Sequence, residues 1–147
     1  MTASANPARN VFAALEQSAS MRPDHPAIVF GDETLSYARL LSLVEDTARH
    51  LRSFGLAQGS VFAAYSPNRP ELMLCYYAAA RIGAVFVPIN PNLTPAEVAF
   101  TFRHSGAALL LCDQSVATVA AEAVPEGRVI PLDVLREQAP DLDPLPA

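Results

Sequence analysis

The 147 residues are 51% apolar, with a mean hydropathy of +0.21 and a formal charge of −5, and they read as one globular domain able to bury roughly 68–70% of its unfolded surface. The acidic balance and ten scattered arginines without a basic run argue against nucleic-acid binding, which needs clustered positive charge. Cys75 and Cys112 stand 37 positions apart with no CxxC pattern, so they read as buried free thiols rather than a bridge or a metal site.

Residues 1–9 lack the apolar core of roughly 7–15 residues that a secretory signal carries, and they are expected to be disordered. Asn10 is placed to cap a short helix reaching Ser20, with Val11, Phe12, Leu15 and Ala19 along one side. MRPDHP at 21–26 breaks that helix. AIVF at 27–30, Gly31-Asp32 and ETL at 33–35 then form a β-hairpin signature, the glycine supplying a positive φ. Ser36 caps a long helix on which Tyr37, Leu40, Leu41, Val44, Ala48 and Leu51 recur at helical spacing, with Gly55 as its stop. Leu35 and Leu40 occupy hydrophobic-staple positions around that cap. His50 falls on the polar side of the same helix.

VFAAY at 61–65 is continuously apolar, the pattern of a strand covered on both faces in a parallel sheet. A helix follows, with Asn68 or Arg69 at its cap and Pro70 in its first turn. Leu72, Met73, Tyr76, Tyr77, Ala79 and Ala80 are its expected apolar face, and Gly83 its stop. The stretch 72–89 has the length of a membrane span, yet it contains Arg81 and ends around Pro88, so a buried helix followed by the strand AVFVPI at 84–89 fits better. No membrane span is expected, and the cytoplasm is the expected location. Thr94-Pro95-Ala96-Glu97 is a capping-box sequence, with Leu93 and Val98 in staple positions, for a helix ending at Gly106. ALLLC at 108–112 is a strand, 114–123 a weaker helix and RVIPL at 128–132 a short last strand.

The alternation predicts an α/β fold: a mostly parallel sheet with flanking helices, preceded by a helix and a β-hairpin. Residues 10–139 form the predicted domain, and PDLDPLPA at 140–147 reads as a linker-like tail.

Three blocks, in this order, resemble the N-terminal part of the adenylate-forming (AMP-binding) enzymes, above all acyl-CoA synthetases. They are the hairpin with LSYARL at 35–40, GLAQGSVFAAYSPNRPELMLCYYAAARIGAVFVPINP at 55–91, and TPAEVAFTFRHSGAALLLCD at 94–113. The resemblance covers residues 11–113. Arg39 stands where the family commonly has glutamate, which removes a possible capping box at Ser36 without touching chemistry. Asn90 stands where peptide-synthetase adenylation domains tend to have aspartate, which favours the acyl-CoA synthetases.

The resemblance implies a complete enzyme that joins a carboxylic acid to ATP's α-phosphate, releases pyrophosphate, and passes the acyl group to the thiol of coenzyme A. ATP, Mg²⁺ and coenzyme A are the implied cofactors. A glycine- and serine/threonine-rich phosphate loop with lysine would be needed. Here Gly31, Gly55, Gly59, Gly83, Gly106 and Gly127 are isolated and lysine is absent, so the expectation is an N-terminal fragment, inactive alone, that packs on a missing remainder or on a second copy. A non-catalytic interaction or split module is the alternative; an unrelated flavodoxin-like domain ranks last, for want of a phosphate loop after the first strand.

No residue qualifies as catalytic, cofactor-binding or metal-binding. Asp113, after a strand end, reads first as a turn former, and His104 as a cation at a helix C-terminus. His25 reads as loop, Tyr76 and Tyr77 as core, Arg69 and Asn68 as a helix start rather than a phosphate site, and residues 88–91 as a rigid connection.

Overall fold

The computed structural model describes residues 10–143 and 145; the disorder expected of residues 1–9 lies outside them. Helix α1 (Val11–Met21) starts at Asn10, whose side chain accepts from the Ala13 amide while its Nδ2 donates to the Ala80 carbonyl at 3.1 Å. Strands β1 (Pro26–Phe30) and β2 (Glu33–Ser36) make the antiparallel hairpin, turning at Gly31 with φ 55°. Ser36 caps α2 (Tyr37–Ser53) through the Arg39 amide, with Leu35 and Leu40 both buried beside the cap. Then follow β3 (Val61–Tyr65), α3 (Pro70–Ile82), β4 (Val85–Ile89), α4 (Pro95–Ser105), β5 (Leu110–Cys112), α5 (Ala117–Ala123) and β6 (Val129–Pro131). The Thr94–Glu97 capping box forms at the start of α4.

Strands β3 to β6 build one parallel sheet in the order β4-β3-β5-β6. The chain steps from β3 to β4 on one side, then crosses back to β5 on the other. With right-handed crossovers, reversing direction moves the connecting helix to the opposite face. The packing shows this: Phe62, Ala64, Leu109 and Leu111 face α1, α2 and α3, while Ala63, Tyr65, Leu110 and Cys112 face α4 and α5. β3 is therefore covered on both faces, as its unbroken apolar run requires.

Both outer strands of this sheet carry a proline near the end of their pairing, Pro88 in β4 and Pro131 in β6. The Val85 amide donates to the Ser60 carbonyl at 2.8 Å, so alternate residues of β4 turn toward β3 and Pro88 turns outward. The Leu110 amide donates to Arg128 O at 2.8 Å, so Pro131 of β6 likewise turns outward. Each edge thus lacks an N–H where an added strand would need one.

Three expectations are corrected. The buried stripe of α3 is Glu71, Leu74, Cys75, Ala78 and Ala79, leaving Met73 and Tyr76 exposed at 40% and 44%. That helix is apolar nearly all round, so periodicity could not choose its face. His50 is buried rather than on a polar side, because a 3₁₀ helix over Leu132–Arg136 folds back across α2 and brings Glu137 O to 3.2 Å from His50 Nε2. The last strand is shorter than 128–132, since Leu132 leaves the ladder to start that 3₁₀ helix and bury its side chain. Beyond it, Arg52 Nη1 donates to Asp143 O at 2.9 Å, and Leu145 packs against the α1–α3 side of the core.

Candidate functional site

In a sheet wound this way, ligands bind in the crevice beyond the strand C-termini, where connections leave to opposite sides. Here that place lies between β3 and β5, and the chain's own charges fill it. Arg69, in the loop after β3, donates from Nε to Glu71 Oε2 at 2.8 Å, from Nη1 to Asp113 Oδ2 at 2.5 Å and from Nη2 to Asp133 Oδ1 at 2.6 Å. Arg136, in the 3₁₀ helix after β6, donates from Nε to Glu71 Oε1 at 2.8 Å and from Nη1 and Nη2 to the Glu33 carboxylate at 2.9 and 3.2 Å. Glu71 is the hub, in the first turn of α3 with its side chain only 4% exposed.

Two guanidiniums against four carboxylates leave this cluster two negative charges in excess. Burial pushes the Glu71 carboxyl up, but the hydrogen bond from Arg69 and the charge of Arg136 outweigh it and hold it below its ordinary value. Bonds from the Ser115 side chain and amide, then from Arg69, depress Asp113. The Glu71 bond and the two aspartate bonds raise Arg69 further despite desolvation. All three guanidinium nitrogens of Arg69 are satisfied. The rim is therefore a brace of fixed charges and does not fit the triphosphate of a nucleotide, which needs free donors and positive potential.

Asp113 is also a turn former, its Oδ1 accepting from the Ser115 amide at 2.9 Å and hydroxyl at 2.6 Å. Arg69 is the N-cap residue of α3 but makes no capping bond with its side chain. A second opening of about 460 Å³ lies beyond β3 and β4, lined by Ser66, Asn68, Pro88 and Asn90 among others. Its polar groups are engaged locally: Ser66 Oγ donates to Pro67 O at 2.7 Å, and Asn90 Oδ1 accepts from the Asn92 amide at 2.9 Å.

His104 lies in the last turn of α4, stacked on Phe100 at 5.2 Å, while His25 has its Nδ1 3.0 Å from Pro26 O and its ring tilted against Tyr37 at 6.3 Å. Tyr76 and Tyr77 meet edge to face at 5.3 Å, with Tyr77 half-buried and Tyr76 open. Both cysteines are free and buried; burial pushes the Cys75 thiol far up and the Cys112 thiol up to about 11, so neither is a thiolate near neutrality. Among the described residues no cluster of three His, Cys, Asp or Glu could hold a metal ion.

Sequence reasoning singled out Arg69 and Asp113 but missed Glu71, Asp133, Arg136 and Glu33. A usable signal existed: Asp113 and Asp133 each follow a strand end within two residues, as acids at one rim would.

The AMP-binding enzyme family matches residues 15–146, nearly the whole chain. The chain belongs to that family. Surfactin synthase subunit 3 of Bacillus subtilis is 31% identical over 129 residues, which are 86% of this chain and 10% of that protein. Long-chain-fatty-acid–CoA ligase FadD13 of Mycobacterium tuberculosis is 34% identical over 127 residues, 82% of this chain and 25% of the ligase. The crystal structure of the N-terminal domain of FACL13 from Mycobacterium tuberculosis superposes with a TM-score of 0.79 at 31% identity, covering 92% of this chain and 38% of that one. This AMP-binding chain thus spans a quarter or less of the length of these curated relatives. The parallel sheet, its helices and the hairpin are those of adenylate-forming N-terminal domains. No helix among the described residues is long and apolar enough to cross a membrane.

Proposed function

We propose that these residues are the opening scaffold of an acyl-CoA synthetase-like carboxylate:CoA ligase, acting in the cytoplasm in fatty-acid metabolism, and that alone they turn nothing over. Residues 10–139 form the scaffold unit, with 140–147 as a linker-like tail whose Asp143 and Leu145 contact it. In the complete enzyme ATP, Mg²⁺ and coenzyme A would be held by polypeptide outside this stretch. The observation that carries the reading is the rim itself: the place where such a sheet would take a ligand is occupied by Arg69, Arg136 and four carboxylates, and none of the 147 residues is lysine. ATP–pyrophosphate exchange by the purified chain, with medium-chain acids, is expected to stay at background. Turnover above it refutes the inactivity.

The exposed side chains of Val29, Phe30, Met73 and Tyr76 favour one second reading, a non-catalytic module that pairs with another chain or with itself. Sedimentation separates the two: a monomer that binds no apolar dye counts against the module.

A further inference from the structure

A two-stranded sheet alone is marginal in water and gains stability from a helix packed on it or from a third strand. The β1–β2 hairpin, unpaired with the four-stranded sheet, has the first, with Leu35 buried and Ile28 packed against the core beside α2. Strand β1, PAIVF, carries no charge, and its only proline is at its first position. That sets it apart from β4 and β6, whose prolines turn outward. Its exposure is unusual too: Val29 is 69% exposed and Phe30 47%, with Met73 of α3 at 40% beside them. Between the hairpin and the first turn of α3 runs a groove of about 220 Å³ lined by Ile28, Phe30, Pro70, Leu72 and Met73 together with the polar Asn68 and Arg69. Natural edge strands are blunted by charge, proline or cover, and after Pro26 this one shows none of these among the described residues.

We propose that the outer edge of β1 receives an extended apolar strand from the polypeptide that lies beyond this segment in a full-length adenylate-forming chain, with the strand's side chains entering the groove beside Met73. Strand addition supplies main-chain hydrogen bonds along the edge and uses flanking pockets for selectivity. The occupant follows from length: this segment accounts for 38% of a relative's crystallised N-terminal domain, so most of that domain is further polypeptide available to cover the segment's apolar surface. The inference rests on the scaffold reading above and names its contact.

The test co-expresses the 147-residue chain with the portion of Mycobacterium tuberculosis FadD13 outside its matched region, and measures co-purification and amide exchange. Wild type and Val85→Lys, on the proline-blunted edge, are expected to co-purify. Val29→Lys and Met73→Lys, folded by circular dichroism, are expected to lose about tenfold of the capture, and amides 27–30 of wild type to exchange about tenfold more slowly in the complex. No capture by wild type overturns the scaffold reading and this inference together. Capture undiminished in Val29→Lys, or exchange at 27–30 unchanged in the wild-type complex, overturns the β1 assignment alone. A wild-type homodimer abolished by Val29→Lys overturns the choice of occupant in favour of a second copy.

Discussion

At the C-terminal rim of the sheet, every guanidinium nitrogen of Arg69 and Arg136 is matched to one of four carboxylates. Along β1, Val29 and Phe30 face solvent and, among the described residues, no strand pairs with the outer edge. The two regions touch, since Glu33 of the hairpin takes both outer nitrogens of Arg136. One is complete within these residues; the other presents groups with nothing to satisfy them. The difference separates stability from assembly: substitutions at the rim should be felt in the folded chain itself, and substitutions on the flank only where a partner is added.

The largest effect should come from the hub. Glu71→Ala leaves Arg69 and Arg136 facing each other across a buried gap, and is expected to cost about 3 kcal/mol in urea unfolding, with Glu71→Gln costing less because the amide oxygen still accepts. A loss below about 1 kcal/mol would show that the brace contributes little and that the rim resembles the flank.

Acid should dismantle the rim first. Glu71 and Asp113 have folded-state values depressed below 4.5 and 3.8, so their contribution is present above those ordinary values and is lost as pH falls through the depressed ones. The thermal midpoint is therefore expected to drop steeply below about pH 4. Asp113→Asn should lower the unfolding free energy by about 1–2 kcal/mol at pH 7 and by progressively less toward pH 2, as the wild-type aspartate itself becomes neutral. A constant deficit across that range would mean that the contribution of the side chain does not depend on its charge.

What could be read in advance follows the range of each interaction. The Asn10, Ser36 and Thr94 caps join groups three residues apart, and a local pattern suffices to find them. β3 announced its double burial through an unbroken apolar run. The rim spans far greater separations: Arg69 to Asp133 is 64 residues, Arg136 to Glu71 is 65 and Arg136 to Glu33 is 103. His50 is covered by a segment 87 residues away, so its position on α2 says nothing of its burial. The partners of Arg69 became visible only once the strand order placed the ends of β3, β5 and β6 side by side.

Thr94 tests the exposed margin of the same rim. Its hydroxyl accepts from the Glu97 amide while the Glu97 carboxylate takes the Thr94 amide at 2.8 Å, so Thr94→Ala is expected to cost about 1 kcal/mol, read as a shift in urea midpoint at constant slope. That places it below Glu71→Ala, because water can replace an exposed cap but not a buried carboxylate.

Val29→Lys should have the smallest effect of all on the isolated chain. Its side chain meets water over most of its surface, so the lysine stem finds the same surroundings and its ammonium remains solvated. The unfolding free energy is expected to move by less than about 0.5 kcal/mol. Ile28, one residue earlier, packs against the core, and Ile28→Lys should be clearly destabilising by comparison. If Val29→Lys also proved costly, the flank would be packed as tightly as the rim, and the open edge of β1 would have to be sought elsewhere.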